Sequence, residues 1–327
     1  MILAGDIGGT KTVLTLLSTQ LNGTLACAKE QTYASQQFAQ FDDILSDFLP
    51  ADVNLVSACF GIAGPVVEQR CQTTNLPWLL DGEALKIRLG TEQVKLLNDL
   101  EAMALGMLSL PADDLLELNP NAVPQKGNIA VIAAGTGLGE AVLYWDGSKH
   151  QPMATEGGHT DWAAQNAQQD QLLAFLRGHF PDHVSAERII SGIGFSYLYD
   201  FLVGHGSTPS CAAVSDCAPG ADRNAVISEL GVTGQDALCA EVVRWFVELY
   251  GAEAGNLALK SLATGGVFIG GGIAPKILPA LQNGDFMRAF TAKGRFAPLL
   301  QTLSVKVSLN PRTPLIGASY YFQNGAL

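Results

Sequence analysis

Two stretches of the chain repeat one pattern of apolar and small residues. Ile2-Leu3-Ala4 is a β-like run, Gly5, Asp6, Ile7, Gly8, Gly9 and Thr10 follow as a glycine-rich turn, and Val13 to Leu17 is a second β-like run. Ile129 to Ala134, Gly135 to Gly139 and Ala141 to Tyr144 repeat the pattern in the middle of the chain. Apolar runs bounded by glycine predict strand-turn-strand hairpins. Glycine lets the backbone turn sharply and brings its N–H groups against an anion with no Cβ in the way. Two such hairpins predict two related halves facing one polyphosphate.

The same reading places the other elements. A third strand is expected around Leu25 to Thr32, and Phe38, Phe41, Ile44, Leu45 and Phe48 fall at helical spacing within 38–49. Asn54 to Gly61 reads as a buried strand ending in the turn Gly61 to Pro65, Glu83 to Leu89 as a helix, and Val94 to Leu97 as a strand. That strand delivers Asn98-Asp99 to a helix running to about Leu108. Pro111 to Gly127, rich in proline and asparagine, marks a boundary. Beyond the second hairpin, Glu156 to Asp161 is a polar turn and Gln168 to Gly178 a helix. Gly204 to Gly220 reads as a surface loop, Gly234 to Leu262 as a long helix, and Gly265 to Pro275 as a buried strand ending in three glycines. Gly317 to Phe322 is expected to return to the first domain. The architecture expected is α/β, with mixed sheets in two domains and a cleft between them. Residues 1–110 plus 312–327 make the smaller domain and 111–311 the larger.

A chain of 327 residues suits two domains, and 48% hydrophobic residues suit well-buried cores. No apolar stretch reaches membrane-spanning length. Met1 leads directly into a strand with no basic segment before it, so a cytoplasmic protein is expected. The net charge of −12 argues against general nucleic-acid binding. An acidic protein that binds a polyphosphate must neutralise it locally, with backbone amides, helix N-termini and a metal ion. The six cysteines are scattered without a CxxC, which supports neither a zinc site nor a disulfide framework. Cys211 and Cys217 share a loop and are candidates to pair on oxidation.

Neither turn is a P-loop, since no Gly-Lys pair occurs, and the chain has no GxGxxG. Phosphoryl transfer needs positioned phosphates, charge neutralisation and a base for the nucleophile's proton. Gly5 to Thr10, Gly135 to Gly139 and Gly270 to Gly272 can position phosphates, with Thr10 and Thr136 adding hydroxyls. Asp6 would repel phosphates unless it binds Mg²⁺ on them; the competing reading is a carboxylate capping its own turn. Asp99, at a strand-to-helix junction, is the candidate base, although Asn-Asp there also suits a helix N-cap. Glu156-Gly-Gly-His159 can aim a carboxylate and an imidazole the same way, and Glu187 is a further acceptor, or a surface residue paired with Arg188. Zinc is the rival for the histidine, without a cysteine cluster nearby to complete it. Carboxylates, an amide and an imidazole with no cationic anchor suit a neutral polyol, so a sugar hydroxyl is the expected acceptor.

These residues in this order resemble the bacterial glucokinases of the sugar-kinase/actin/Hsp70-like superfamily. The resemblance runs through GDIGGT, TNLPW (74–78), LLNDLEA, AAGTGLGE, EGGHTD, HVSAER, GGVFIGGGIAP and KGRF (293–296), nearly the whole chain. It implies a duplicated actin-like, ribonuclease-H-like plan, two domains closing around glucose and ATP, and attack of the sugar's 6-hydroxyl on the γ-phosphate. It further implies Asp99 as base, with Asn98, Glu156, His159 and Glu187 holding glucose. The turn 5–10, Thr136-Gly137 and Gly271-Gly272 would meet ATP, and a homodimer is expected. Lys11 is similar to the repressor-ORF-kinase group, but that group's cysteine-rich motif after the histidine is replaced here by TDWAAQN. The rivals are a kinase for another hexose or an N-acetylhexosamine, a non-catalytic sugar-sensing regulator, and an actin-like structural ATPase.

Overall fold

The opening hairpin forms between strands Ile2–Ile7 and Lys11–Thr19, with its turn shorter than expected. Gly5, Asp6 and Ile7 belong to the first strand, where they pair with Leu14, Val13 and Thr12. Gly5 is a glycine because a Cβ there would lie 2.7 Å from the Phe60 ring and 2.8 Å from Leu14. The turn proper is Gly8-Gly9-Thr10, closed by the Gly8 N–H donating to the Lys11 carbonyl at 2.9 Å. In the second hairpin, strands Ile129–Ala134 and Leu138–Trp145 likewise leave only residues 135–137 for the turn.

This computed structural model describes all residues except 22, 74, 207, 219 and 324–327. Thr74, the head of TNLPW, and the end of the 312–327 segment therefore lie outside the described residues. The chain divides into two compact units. One comprises Met1–Asp114, Gln151–Ala154 and the segment from Asn310; the other comprises Leu115–His150 and Thr155–Leu309.

In the first unit the sheet order is 25–34, 11–19, 2–7, 57–62, 94–98. The first three strands are antiparallel, and 2–7, 57–62 and 94–98 run parallel. Ser57–Ile62 is buried along its whole length, as an inner parallel strand must be. Helix Phe41–Phe48 turns Phe41, Ile44, Leu45 and Phe48 into this unit's core, and Asp43 accepts from the Gln40 N–H at its start. The helix begins at 41 rather than 38 because residues 35–37 form a tighter 3-10 turn.

The second unit repeats the plan in its own sheet. The hairpin 129–134/138–145 is followed by parallel strands Gly266–Gly270 and Val305–Ser308, with Leu115–Glu117 antiparallel at the edge. Each unit is thus a hairpin continued by two parallel strands, the duplication anticipated from the glycine turns. Helix Ala237–Lys260 supplies much of the second core, including Val242, Phe246, Tyr250 and Leu257. The stretch 204–220 is less irregular than expected: helix Gly194–His205 runs into it and Ala212–Ser215 is helical. All six cysteines are free. Cys211, Asp236 and Cys239 bring their thiols and carboxylate within 4.8 Å of one another. Asp236 is there the N-cap of the long helix, accepting from the Cys239 N–H at 2.9 Å.

The terminal helix Thr313–Tyr320 packs on helix Asp99–Met107 within the first unit. Contact is backbone-close: a Cβ on Gly317 would overlap the Ala102 carbonyl, and one on Gly106 would overlap that of Thr313. Gly317→Val is therefore expected to lower stability by about 3 kcal/mol. Thermal unfolding checks this, and a wild-type melting temperature would contradict the packing.

Candidate active site

Three parallel strands of the first unit end side by side. Ile7 is in register with Ile62, and Ile62 with Asn98, so the carboxyl ends of 2–7, 57–62 and 94–98 share one edge. Ligands of α/β sheets bind at that edge. Gly61 lets the helix after Asn98 come close, since a Cβ there would be 2.8 Å from the Ala102 Cβ. The glycine turn is braced by Ser35, whose hydroxyl donates to the Gly8 carbonyl (2.7 Å) and whose N–H donates to that of Thr10 (3.0 Å). Gly9 faces Asn75, leaving 2.8 Å between a hypothetical Cβ and the Asn75 Cβ. Neither Gly8 nor Gly9 has a positive φ; close approach, not a left-handed backbone, is what requires Gly9. Asp6 is half-buried, and that desolvation pushes its carboxyl up against the opposing pull of Lys11.

Asn98 is the N-cap of helix 99–107. Its side-chain oxygen accepts from the Leu100 N–H (2.8 Å) and its amide donates to the Gly64 carbonyl (3.0 Å). Glu101 accepts from the Asn98 N–H at 2.9 Å and completes a capping box. Burial pushes the Glu101 carboxyl up, opposed by that hydrogen bond and by Lys95. Asp99 occupies the first position of the helix, half-buried, with one oxygen accepting from the Leu100 N–H at 2.9 Å. A negative group is favoured at that helix end. The cap expected as an alternative is thus real for Asn98, while Asp99 remains at the sheet edge.

In the second unit, the 3-10 turn Gly157–His159 presents Glu156 and His159, and the turn Ala186–Arg188 presents Glu187. The two are tied together by the Ala186 N–H donating to the Thr160 carbonyl (3.1 Å). His159 Nδ1 lies 3.9 Å from Glu156 Oε2, and His159 Nε2 lies 3.7 Å from Glu187 Oε1. Glu187 is the most enclosed of the three, at 26% side-chain exposure against 60% for His159 and 70% for Glu156. Its second oxygen accepts from the Leu138 N–H at 3.0 Å. A Cβ on Gly137 would press on that carboxylate and displace it. Glu187 is therefore anchored on the second hairpin, not paired with Arg188 at the surface, and no Lys or Arg belongs to this trio.

A cavity of about 690 Å³ also lies in the second unit. Thr136 and Gly272 line it, as expected for a nucleotide side, together with Gly135 and Gly192. Gly271 behind it has φ +82°, and a Cβ there would overlap the Ala134 backbone. No local pattern points to the cavity's other wall, Asn224, Ser228 and Glu229 on helix Arg223–Val232, or to Lys276. That helix has no glycine signature, and its polar residues resemble any solvated face. Asn75, Ser35 and Glu101 were likewise missed, because their roles are contacts across the chain.

Each unit thus carries a glycine turn on the same α/β plan, with a carboxylate at the sheet edge of the first and a carboxylate–imidazole trio in the second. The glucokinase family model covers residues 3–325. A glucokinase of Trichormus variabilis is 40% identical, over 98% of each chain. The crystal structure of a glucokinase from an Antarctic psychrotroph superposes with a TM-score of 0.85 at 29% identity, over 99% of each chain. A ROK family glucokinase from Streptomyces griseus, in complex with glucose and AMPPNP, shares the fold at 19% identity and a TM-score of 0.65, over 97% of each chain. The chain belongs to the glucokinase family, ATP-dependent kinases of glucose.

Proposed function

We propose that this chain transfers the γ-phosphoryl group of ATP to the 6-hydroxyl of D-glucose, with Asp99 accepting the hydroxyl proton. The observation that carries the reading is the His159 trio. An imidazole set within 4 Å of two carboxylates alternates donor and acceptors and lacks a cation, which suits neighbouring hydroxyls of a neutral sugar. We assign Asn98, Glu156, His159 and Glu187 to the holding of those hydroxyls and Asp99 to the proton of the one that reacts. Asn98 does so from a side chain already ordered by its cap, so little entropy remains to be lost when it meets the sugar.

The segment Gly5 to Thr10, through the Gly9 and Thr10 N–H groups of its turn, and the pairs Thr136-Gly137 and Gly271-Gly272 receive the phosphates, and the cavity beside Thr136 takes the nucleoside. Asp6 fits Mg²⁺: it is a hard oxygen donor whose burial disfavours its charge until a cation supplies compensation. Held there by Asp6, the ion would supply positive charge to offset that of the phosphates. Asp99 then moves one proton, the trio fixes the sugar, and exclusion of water keeps it from competing as acceptor. No helix among the described residues is long and apolar enough to cross a membrane. We place the enzyme in the cytoplasm as a homodimer at the head of glycolysis.

ADP release by purified protein with Mg-ATP against a panel of hexoses tests this. Glucose is expected to give by far the highest kcat/KM. Turnover confined to mannose or an N-acetylhexosamine would overturn the substrate, and no turnover on any sugar would overturn the kinase reading.

A further inference from the structure

Beneath the sugar-holding turn lies a carboxyl that packing alone does not explain. Glu140, on strand Leu138–Trp145, is 1% exposed, and neither of its carboxyl oxygens has a hydrogen-bond partner among the described residues. An apolar side chain would fill the space without the cost of burying an unpartnered polar group. The turn rests directly on it. A Cβ on Gly157 would overlap Glu140 Oε2, and one on Gly158 would overlap the Leu138 carbonyl. The Thr155 hydroxyl donates to the Glu140 carbonyl (2.9 Å) and accepts from the Gly157 N–H (3.1 Å), so the turn is also fastened at that residue's backbone. The two glycines of Glu156-Gly-Gly-His159 are thus glycines because this strand, and the Glu140 side chain in particular, occupies the space beneath them.

We propose that Glu140 is a positioning residue for the sugar: its carboxyl under Gly157 sets where the Glu156 and His159 side chains stand, and thereby the affinity for the substrate. The inference rests on the sugar-binding reading of that turn and goes beyond it by naming what supports the turn and how solution conditions reach it. Helix Ala237–Lys260 packs from the other side and brings three titratable groups. Glu253 raises the Glu140 carboxyl, Lys260 opposes it, and the buried Tyr250 hydroxyl feels the Glu140 charge in turn. Glu253 is itself held by Asn256 (2.9 Å) and Lys260 (3.4 Å), and Lys293 donates to Asn256 at 2.6 Å. The turn above carries the titratable Glu156 and His159 side chains. Burial, then Glu253, pushes the Glu140 carboxyl up to about 7. Below that pH the support is neutral. Above it a charge appears under the turn with no partner, and the turn moves outward to hydrate it.

The test is the KM for sugar against pH in wild type, Glu140→Gln and Glu140→Ala, with kcat followed in parallel. In wild type the KM is expected to rise as pH passes through about 7. Glu140→Gln keeps the shape without the charge, so its KM should match wild type at pH 6 and stay flat as pH rises. Glu140→Ala removes the support, so its KM should rise about tenfold at every pH while kcat stays within about threefold. Wild-type KM and pH profile in both variants would overturn the proposal, as would a Glu140→Gln KM that still climbs through pH 7. If Glu140→Ala does not fold, the Glu140→Gln profile decides alone. Wild-type turnover on glucose separately tests the substrate. Were another hexose the substrate, the same three-way comparison on that hexose would still judge Glu140.

A thermal readout follows from the same residue. The proton is bound more tightly in the folded protein than in the unfolded chain, so Glu140 contributes stability below pH 4.5 that is lost as pH rises to about 7. Wild type is therefore expected to lose melting temperature relative to Glu140→Gln across that window, and parallel curves would contradict the burial argument.

Discussion

Asp99→Asn is expected to lower kcat about a thousandfold while leaving glucose affinity within a few-fold. The carboxylate stands at the first position of helix 99–107, at the edge where three parallel strands end. Asparagine is nearly isosteric and can keep the bond from the Leu100 N–H, so the helix start survives. What it loses is a basic site for the proton that leaves the hydroxyl as the phosphoryl group is transferred, a loss of the size general-base removal produces. Binding depends mainly on hydroxyl contacts from the other side chains, so KM should change little. Steady-state kinetics together with calorimetric titration of glucose separate the two effects. Turnover within tenfold of wild type would remove Asp99 from the mechanism. Tight loss of glucose binding would make it a binding residue instead.

Gly271→Ala is expected to damage fold and nucleotide binding together. The residue has φ +82°, which an L side chain adopts at a cost of about 1–2 kcal/mol, and its Cβ would overlap the carbonyl and amide of Ala134 on the neighbouring strand. Relieving that overlap costs about 1–3 kcal/mol more and displaces the backbone next to the cavity. The combined loss is about 2–5 kcal/mol of stability, with the KM for ATP rising about tenfold or more. Gly272 provides the control. It lines the same cavity, its φ is not positive, and a Cβ there meets nothing within 4 Å. Gly272→Ala should melt as wild type and act on the nucleotide KM alone. Equal stability of the two variants would contradict the strain argument.

Much of the fold and of this candidate site could be read before any coordinates, because its residues sit in short local patterns. The hairpins, the helix after Asn98 and the long helix 237–260 follow from apolar periodicity, and the Glu156–His159 turn from two glycines between two functional side chains. Residue function within the glycine segments was less legible. Gly5 looks like a turn residue, yet it is a strand residue thinned to admit Phe60 and Leu14. A sequence shows a missing Cβ but not the neighbour that displaced it. Glu187 was readable as a candidate through its motif. Its anchoring on the Leu138 N–H, 49 residues away, was not. Glu140 was invisible for the same reason, since an acidic residue next to a glycine turn looks exposed until the strand turns it inward. Helices 194–205 and 223–232 escaped because neither carries a clean apolar stripe, and the second forms the far wall of the cavity.

The most direct test of the central claim is nuclear magnetic resonance of the product formed from glucose and Mg-ATP, with ADP measured in the same sample. The account predicts one phosphoryl group per ADP, carried on the 6-oxygen and seen as phosphorus coupling at carbon 6. Phosphate on another hydroxyl would contradict the assignment of Asp99 to the 6-hydroxyl, and ADP formed with inorganic phosphate in place of a sugar phosphate would contradict the kinase itself.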